Sequence, residues 1–223
     1  MKIVIISDLH LTDTFDATFA YYIANVLKTA DQVIINGDFW DAYVCTFDDF
    51  VQSEWKTIFP LLLSKKCIYL YGNHDARKSM DSRVTLFSVE QKNIHSIVNG
   101  QQTIEIQHGH EIAPAADKHW LFRQVAFIRP LYRVFFQHKN YSTTFDRLVK
   151  RLYQDAKDAE EFESIKKYAS TSRRRNKRYV FGHSHVYAHS DMGVYSCSLH
   201  SDAGFSYVVV DNGKISTACL LIR

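Results

Sequence analysis

Three continuous apolar runs, alternating with helical patterns, constrain the fold of this chain more than any other feature. The runs KIVIIS (2–7), QVIIN (32–36) and CIYLY (67–71) are typical of strands buried on both faces. Residues 15–29 and 47–63, which separate the runs, read as helices because their apolar side chains recur at helical spacing. This alternation predicts right-handed βαβ units and a largely parallel sheet.

The second half of the chain is predicted to add strands on either side of a long helical insertion. Strands are expected near 94–98 and at 103–107, 179–181, 193–198, 205–211 and 214–222. We expect one α/β domain over residues 1–223, with a helical lid insertion at about 117–176.

The cysteines and the apolar segments indicate where the protein resides. The four cysteines are widely spaced, with no CxxC pair, which favours free buried thiols in a reducing compartment. The chain opens directly on a strand pattern, so no signal peptide is expected. The most lipid-like segment, 120–136, carries three arginines and a proline, which argues against a membrane span. We expect a cytoplasmic protein that can lie against the membrane surface.

The insertion differs in charge from the rest of the chain. Residues 119–178 hold 15 Lys and Arg against 6 Asp and Glu, whereas the whole chain has a net charge of +3. A basic insertion on an acidic body favours an anionic ligand or surface, and a solvated helical face explains the same charges equally well.

Polar side chains follow five of the predicted strands directly. The segments are DLH (8–10), GDFWD (37–41), GNHD (72–75), HGH (108–110) and GHSH (182–185). Since ligands bind at the carboxyl ends of parallel strands, the five segments are expected to converge at one edge of the sheet. Each fragment alone is weak, but five strand ends with metal-competent groups indicate a metal site.

This ordered set of motifs resembles that of the calcineurin-like metallophosphoesterases, and its segments are scattered over about four-fifths of the chain. The resemblance implies a four-layer α/β/β/α metallophosphoesterase sandwich with a two-metal centre. It also implies two divalent transition metals, with manganese preferred over iron or zinc.

The resemblance implies a metal ligand set of seven residues. One metal would take Asp8, His10 and His185, the other would take Asn73, His108 and His183, and Asp38 would bridge the two. Mixed imidazole, carboxylate and amide ligands suit borderline transition metals, which agrees with that assignment. The two histidines of GHSH point the same way if the chain is extended there, and would then serve different metals.

The resemblance also implies a reaction and roles for further residues. Two metals would clamp a phosphate and lower the pKa of a shared water, whose hydroxide would attack phosphorus in line. His74 would stabilise the transition state or protonate the leaving oxygen. Asp75 and Asp41 are expected to orient imidazoles, although a turn or a helix cap explains Asp41 equally well. Phosphate contacts are expected from Arg77, Lys78 and His110.

The insertion is the part of the sequence that bears on the substrate. A similar insertion occurs in the family branch that hydrolyses UDP-2,3-diacylglucosamine, where it holds acyl chains at the membrane surface. Six apolar residues of the insertion suit an acyl slot or the packing of the lid on the body, namely Phe122, Phe127, Ile128, Leu131, Phe135 and Phe136. His74 departs from that branch, in which the bacterial enzyme carries an arginine.

Several functions therefore compete. The preferred one is hydrolysis of a nucleotide-sugar-lipid pyrophosphate, and the alternative is a phosphodiesterase or nuclease acting on nucleic acid or cyclic nucleotides. A binding module that kept the fold is disfavoured, because every expected ligand is present. The basic run 173–178 suits a nucleotide or lipid phosphate or an anionic membrane, with nucleic acid the less favoured partner.

Overall fold

The structure is a computed structural model that describes residues 1–113, 160–171, 176–185, 189–190, 194–196, 199–200 and 204–221. Twelve strands lie in these residues. They are β1 Lys2–Ile6, β2 Gln32–Asn36, β3 Ile68–Leu70, β4 Glu90–Lys92, β5 Ile94–Asn99, β6 Gln102–Gln107, β7 Lys177–Phe181, β8 His189–Ser190, β9 Val194–Ser196, β10 Leu199–His200, β11 Gly204–Asp211 and β12 Lys214–Leu221.

The strands form two sheets. The first has the order β10-β11-β1-β2-β3-β4, with β12 paired to β11. Strands β1, β2 and β3 are parallel, as predicted, β4 extends the parallel order, and β11 runs antiparallel to β1. The second sheet has the order β5-β6-β7-β9-β8, in which β6, β7 and β9 are parallel. Strand β4 has the sequence EQK, so no apolar run predicts it.

Four helices are described, α1 Ala17–Lys28, α2 Phe47–Gln52, α3 Phe59–Ser64 and α4 at 160–171, with 3-10 turns at Glu54–Ile58, Arg77–Ser79 and Ser82–Leu86. The helix predicted at 47–63 is in fact divided. Ser53 has extended backbone with ψ 169° and ends α2, and Pro60 lies in the first turn of α3, where its missing N–H costs nothing.

Burial of apolar side chains divides the molecule into four layers. One buried cluster lies between the first sheet and helices α1 to α3, and includes Val4, Ile35 and Leu27. A second lies between the two sheets, and a third packs α4 on the second sheet through Ile165 and Phe181. The order helix, sheet, sheet, helix confirms the predicted α/β/β/α sandwich.

Much of the predicted lid lies outside the described residues, including the six residues proposed for an acyl slot and residues 173–175 of the basic run 173–178. Of the lid, residues 160–171 are helical, as expected. None of the helices in the described ranges combines the length and the apolar character that a bilayer span needs.

The cysteine prediction holds in part. Cys45 and Cys67 are buried free thiols, whereas Cys219 on β12 is exposed, and Cys197 lies outside the described residues.

Candidate metal centre

The five polar segments meet where the carboxyl ends of strands from both sheets come together. β1, β2 and β3 supply three segments from the first sheet, and β6 and β7 supply two from the second. The expectation of a single sheet edge is therefore wrong, because the parallel strands are divided between two sheets. The two sheets are tied at this point by the Asn36 side-chain amide, which donates to the Gln107 carbonyl at 3.1 Å.

Backbone hydrogen bonds continue the parallel pairing beyond the strand ends. The amide of Asp8 donates to the Gly37 carbonyl at 3.1 Å, and that of His10 donates to the Asp38 carbonyl at 3.0 Å. These bonds hold the β1 and β2 loops side by side, so that both carboxylates enter the same space.

Five candidate ligands have a left-handed backbone, an uncommon conformation for residues other than glycine. The φ values are 56° for Asp8, 46° for His10, 52° for Asp38, 67° for His183 and 49° for His185. GHSH is therefore not the extended strand end that its spacing suggested. Such conformations cost about 1–3 kcal/mol each and concentrate at functional sites.

The glycines at these strand ends leave room that any side chain would fill. A Cβ on Gly72 would lie 2.1 Å from Asp38 Oδ1, and one on Gly182 would lie 2.0 Å from Ser7 Oγ and 2.5 Å from Asp8 Oδ2. These carboxylates can approach the neighbouring loops only because glycine stands there.

The first group of candidate ligands contains Asp8, His10 and His185, whose ligand atoms lie within 4.8 Å of one another. His185 Nε2 is 3.4 Å from Asp8 Oδ1 and 3.3 Å from His10 Nε2. Asp8 is fully buried, and its carboxylate is held by the Ser7 hydroxyl and by the backbone amide of His183.

The second group contains Asp38, His108 and His183, again within 4.8 Å. His108 Nε2 lies 3.2 Å from Asp38 Oδ2 and 3.2 Å from Asn73 Oδ1. The structure thus brings together all seven predicted ligands, and it separates His183 and His185 into the two groups in which they were expected.

Backbone carbonyls fix which imidazole nitrogens face the centre. His108 Nδ1 donates to the Asn36 carbonyl at 2.8 Å, and His183 Nε2 donates to the Ala113 carbonyl at 2.7 Å. The opposite nitrogen of each ring, Nε2 of His108 and Nδ1 of His183, is then left to accept a cation, the arrangement usual for metal-binding histidines.

The electrostatics of the second group also fit a cation. Burial opposes a charge on His108, but the carboxylates of Asp38 and Asp8 outweigh it and raise the pKa of that imidazole to about 10. Buried carboxylates that favour a proton this strongly also favour a metal ion, and the nitrogen and oxygen donors suit a divalent transition metal. The residues present therefore fit the metals that the motifs imply.

Asp41 lies between the imidazoles of His74 and His10. Its Oδ1 is 3.1 Å from His74 Nδ1, and its Oδ2 is 3.8 Å from His10 Nδ1. Burial raises the pKa of Asp41, but the hydrogen bond and charge of His74 lower it further, so the net shift is downward. Oδ1 also accepts from the Tyr43 amide at 2.9 Å, so the carboxylate meets both expectations, as a turn residue and as a neighbour of imidazoles.

Asp75 differs from its predicted role of orienting an imidazole. Its oxygens accept from the backbone amides of Gly72 at 2.7 Å and Phe39 at 2.8 Å and from the hydroxyl of Tyr69. Burial and the nearby Asp38 charge raise the pKa of Asp75 to about 6. The carboxylate therefore ties the GNHD loop to the GDFWD loop and supports the centre through the backbone.

Replacing Tyr69 by phenylalanine tests this supporting role. Because the buried carboxylate of Asp75 loses a donor, we expect the free energy of unfolding to fall by about 1–3 kcal/mol. Urea denaturation measures the change. The matched variant Tyr21→Phe, on an exposed side chain, should stay within about 0.5 kcal/mol of the wild type. An unchanged stability in Tyr69→Phe would contradict the role given to Asp75.

The predicted phosphate contacts differ in their position. The His110 ring is half-buried beside the centre, with its centroid 5.4 Å from that of His108. Arg77 and Lys78 are exposed on a 3-10 turn that follows the GNHD loop, and their contact with a substrate stays a prediction.

Four groups that contact the candidate ligands were not predicted from the sequence. Ser7, the Asn36 carbonyl, the Ala113 carbonyl and Glu161 all contact candidate ligands. Ser7 and Asn36 directly precede motifs, which is a usable signal. Ala113 and Glu161 lie outside every motif, and nothing in the sequence marks them.

Taken together, the four-layer sandwich and the paired imidazole and carboxylate groups at its strand ends define a metal-dependent phosphoesterase. The sequence profile described as calcineurin-like phosphoesterase matches residues 1–187. The chain belongs to that family. A comparison with curated proteins returns no match.

Several solved structures are similar over the whole chain. Yfce, a phosphoesterase from E. coli, is 15% identical, with 100% of both chains covered and a TM-score of 0.48. A predicted phosphoesterase from Streptococcus pneumoniae is 14% identical, with 99% of this chain and 88% of that chain covered and a TM-score of 0.43. Vps29 from Entamoeba histolytica, solved with Zn²⁺, is 13% identical, with 100% of both covered and a TM-score of 0.40.

Proposed function

We propose that the chain hydrolyses a phosphoester or pyrophosphate bond with two divalent metals bound at the strand ends. The observation that carries the proposal is the position of Asp38 between the two ligand groups. Its Oδ2 lies 3.2 Å from His108 Nε2 on one side and 4.0 Å from His10 Nε2 on the other. The same oxygen thus lies near an imidazole of each group, while Oδ1 accepts from the His74 backbone amide at 2.9 Å, so Asp38 suits a ligand that both groups would share.

Seven residues would hold the metals. One would be held by Asp8, His10 and His185, the second by Asn73, His108 and His183, and Asp38 would contribute to both. When bound, two such metals supply Lewis acidity toward a phosphoryl oxygen and a water of lowered pKa. Manganese is our preferred metal, and iron and zinc suit the same donors.

Among the residues that the structure describes, the two sides of the centre differ in exposure. The side chains of His10, His74 and His185 are 19%, 23% and 29% exposed, whereas those of Asp8 and His108 are fully buried. A substrate phosphate would therefore approach from the side of the three partly exposed imidazoles.

His74 is the residue best placed to act on the leaving group. Asp41 holds its Nδ1 at 3.1 Å, which leaves Nε2 directed toward the centre at 4.0 Å from Asp38 Oδ2. The Tyr43 ring packs against the imidazole with a centroid distance of 4.5 Å and limits its rotation. An imidazole fixed in this way can carry a proton on Nε2 to the leaving oxygen.

Replacing His74 by alanine tests that role. We expect turnover of an alkyl phosphate diester to fall by about 10²–10⁴-fold. The loss should be much smaller for bis-p-nitrophenyl phosphate, because p-nitrophenolate leaves without needing a proton. Steady-state kinetics on both substrates measures the difference, and His95→Ala, on β5, is the control. Equal losses on the two substrates would assign His74 to charge stabilisation instead.

A substrate panel tests the specificity that we propose. The preferred substrate is a nucleotide-sugar-lipid pyrophosphate of the UDP-diacylglucosamine type, supported by the apolar and basic composition of the insertion. With the full chain and Mn²⁺, we expect the acylated UDP-sugar to be hydrolysed with a higher kcat/KM than the deacylated one. Preference for single-stranded DNA or a cyclic nucleotide would favour the alternative function.

A further inference from the structure

Helix α4, the described part of the insertion, presents one buried stripe to the second sheet. Glu161, Ile165 and Ala169 follow one another at intervals of four residues and are 7%, 0% and 3% exposed. Ile165 and Ala169 pack on Tyr179 and Phe181 of β7. The remaining residue of the buried stripe, Glu161, carries a carboxylate.

The buried carboxylate lies behind one of the candidate metal ligands. Glu161 Oε2 is 3.8 Å from His183 Nε2, and the two side chains are 9% and 4% exposed. The Nε2 hydrogen is donated to the Ala113 carbonyl at 2.7 Å, so Glu161 lies beside this hydrogen bond and is not its acceptor. Glu161 and the Ala113 carbonyl together enclose the edge of the ring opposite Nδ1.

Packing alone does not account for a charge at this position. Taking a carboxylate out of water costs several kcal/mol, and an apolar side chain of similar size would pack the stripe without that cost. The attraction between the Glu161 carboxylate and the His183 ring would be larger with a cation on Nδ1, because the ring would then carry part of the positive charge.

We propose that Glu161 is a positioning residue for His183, and that through it the insertion and the metal centre stabilise each other. This inference rests on the proposed function, since it requires a metal on His183. Coupling of this kind is reciprocal: a metal on His183 strengthens the seating of α4, and a seated α4 strengthens metal binding.

Calorimetric titration of the metal-free full chain with Mn²⁺ tests the proposal. We expect Glu161→Gln to weaken binding of one of the two metals by about 10–100-fold. Glu161→Asp, which keeps the charge, should recover part of that affinity. Glu163→Gln is the matched control, because Glu163 lies on the exposed face of the same helix and pairs with Lys166. If Glu161 had only a structural role, Glu161→Gln would lower the melting temperature of the metal-free protein and leave its Mn²⁺ affinity unchanged.

The outcomes separate this inference from the proposed function. A wild-type chain that binds fewer than two Mn²⁺ ions contradicts the two-metal function itself. A wild-type chain that binds two, together with a Glu161→Gln variant that binds both as tightly, overturns only the role of Glu161. If the variants do not fold, hydrogen exchange on the wild type decides: Mn²⁺ should slow the exchange of amides in 160–171, and unchanged exchange would overturn the proposal.

Discussion

Alanine in place of Asp38 should abolish turnover of bis-p-nitrophenyl phosphate, with a loss above about 10³-fold. Asp38, the proposed bridging carboxylate, lies beside both ligand groups, so we expect its removal to weaken both cation positions at once. Metal ions supply several kcal/mol of charge stabilisation in phosphoryl transfer, and each 1.36 kcal/mol corresponds to about a tenfold change in rate. Initial rates in saturating Mn²⁺, together with metal analysis of the purified protein, measure the effect.

The control for this prediction is an acidic residue outside the centre. Asp48→Asn removes an exposed carboxylate on α2 that pairs with Arg83 at 2.6 Å. Exposed ion pairs contribute little to stability, so this variant should keep full turnover and both metals. Wild-type turnover in Asp38→Ala would contradict the proposed two-metal function.

The second large effect is expected from adding a single methyl group. Gly72→Ala places a Cβ 2.1 Å from Asp38 Oδ1 and 2.6 Å from the Asp38 backbone nitrogen, so the GDFWD loop must move. A displacement of about 1 Å at a catalytic group can cost about 10²-fold in rate. We therefore expect turnover to fall by about 10²-fold, with a stability loss of about 1–3 kcal/mol from overpacking.

Gly100→Ala provides the matched comparison, measured by the same rates and by thermal unfolding. Gly100 has φ +59° and open space around it, so alanine there adds backbone strain of about 1–2 kcal/mol without touching the centre. Turnover should persist in this variant. Equal losses of activity in the two variants would mean that general destabilisation, and not the position of Asp38, explains Gly72→Ala.

The sequence was informative about the site because buried parallel strands are easy to recognise. Residues 3–6 of KIVIIS and 33–35 of QVIIN are apolar without interruption, so the polar residues that follow them stand out at the strand ends. Topology then brings Asp8 and Asp38 together, since β1 and β2 are adjacent. The motifs therefore contain the candidate ligands that the structure brings together.

Features that depend on tertiary context could not be predicted in this way. The strands divide into two sheets because Ile104 and Val180 pack against Ile5 across the sandwich, and no local pattern encodes that partnership. The left-handed backbone of His183 and His185 is likewise imposed by the loops around them. Asp75 was expected to orient an imidazole, whereas its carboxylate accepts from the backbone amides of Gly72 and Phe39.

The contact between Asp8 and the GHSH segment determines how much of the chain must be synthesised before the metal centre can form. The His183 amide and the His185 imidazole both meet the Asp8 carboxylate, across a separation in sequence of 175 residues for the first contact. Contacts of such long range form late, because the chain must first close a large loop. A ribosome-bound chain that has not yet been translated as far as GHSH lacks two of the seven candidate ligands. Nascent chains shorter than this therefore cannot assemble the full centre, and hydrolysis begins only after most of the sequence has been synthesised.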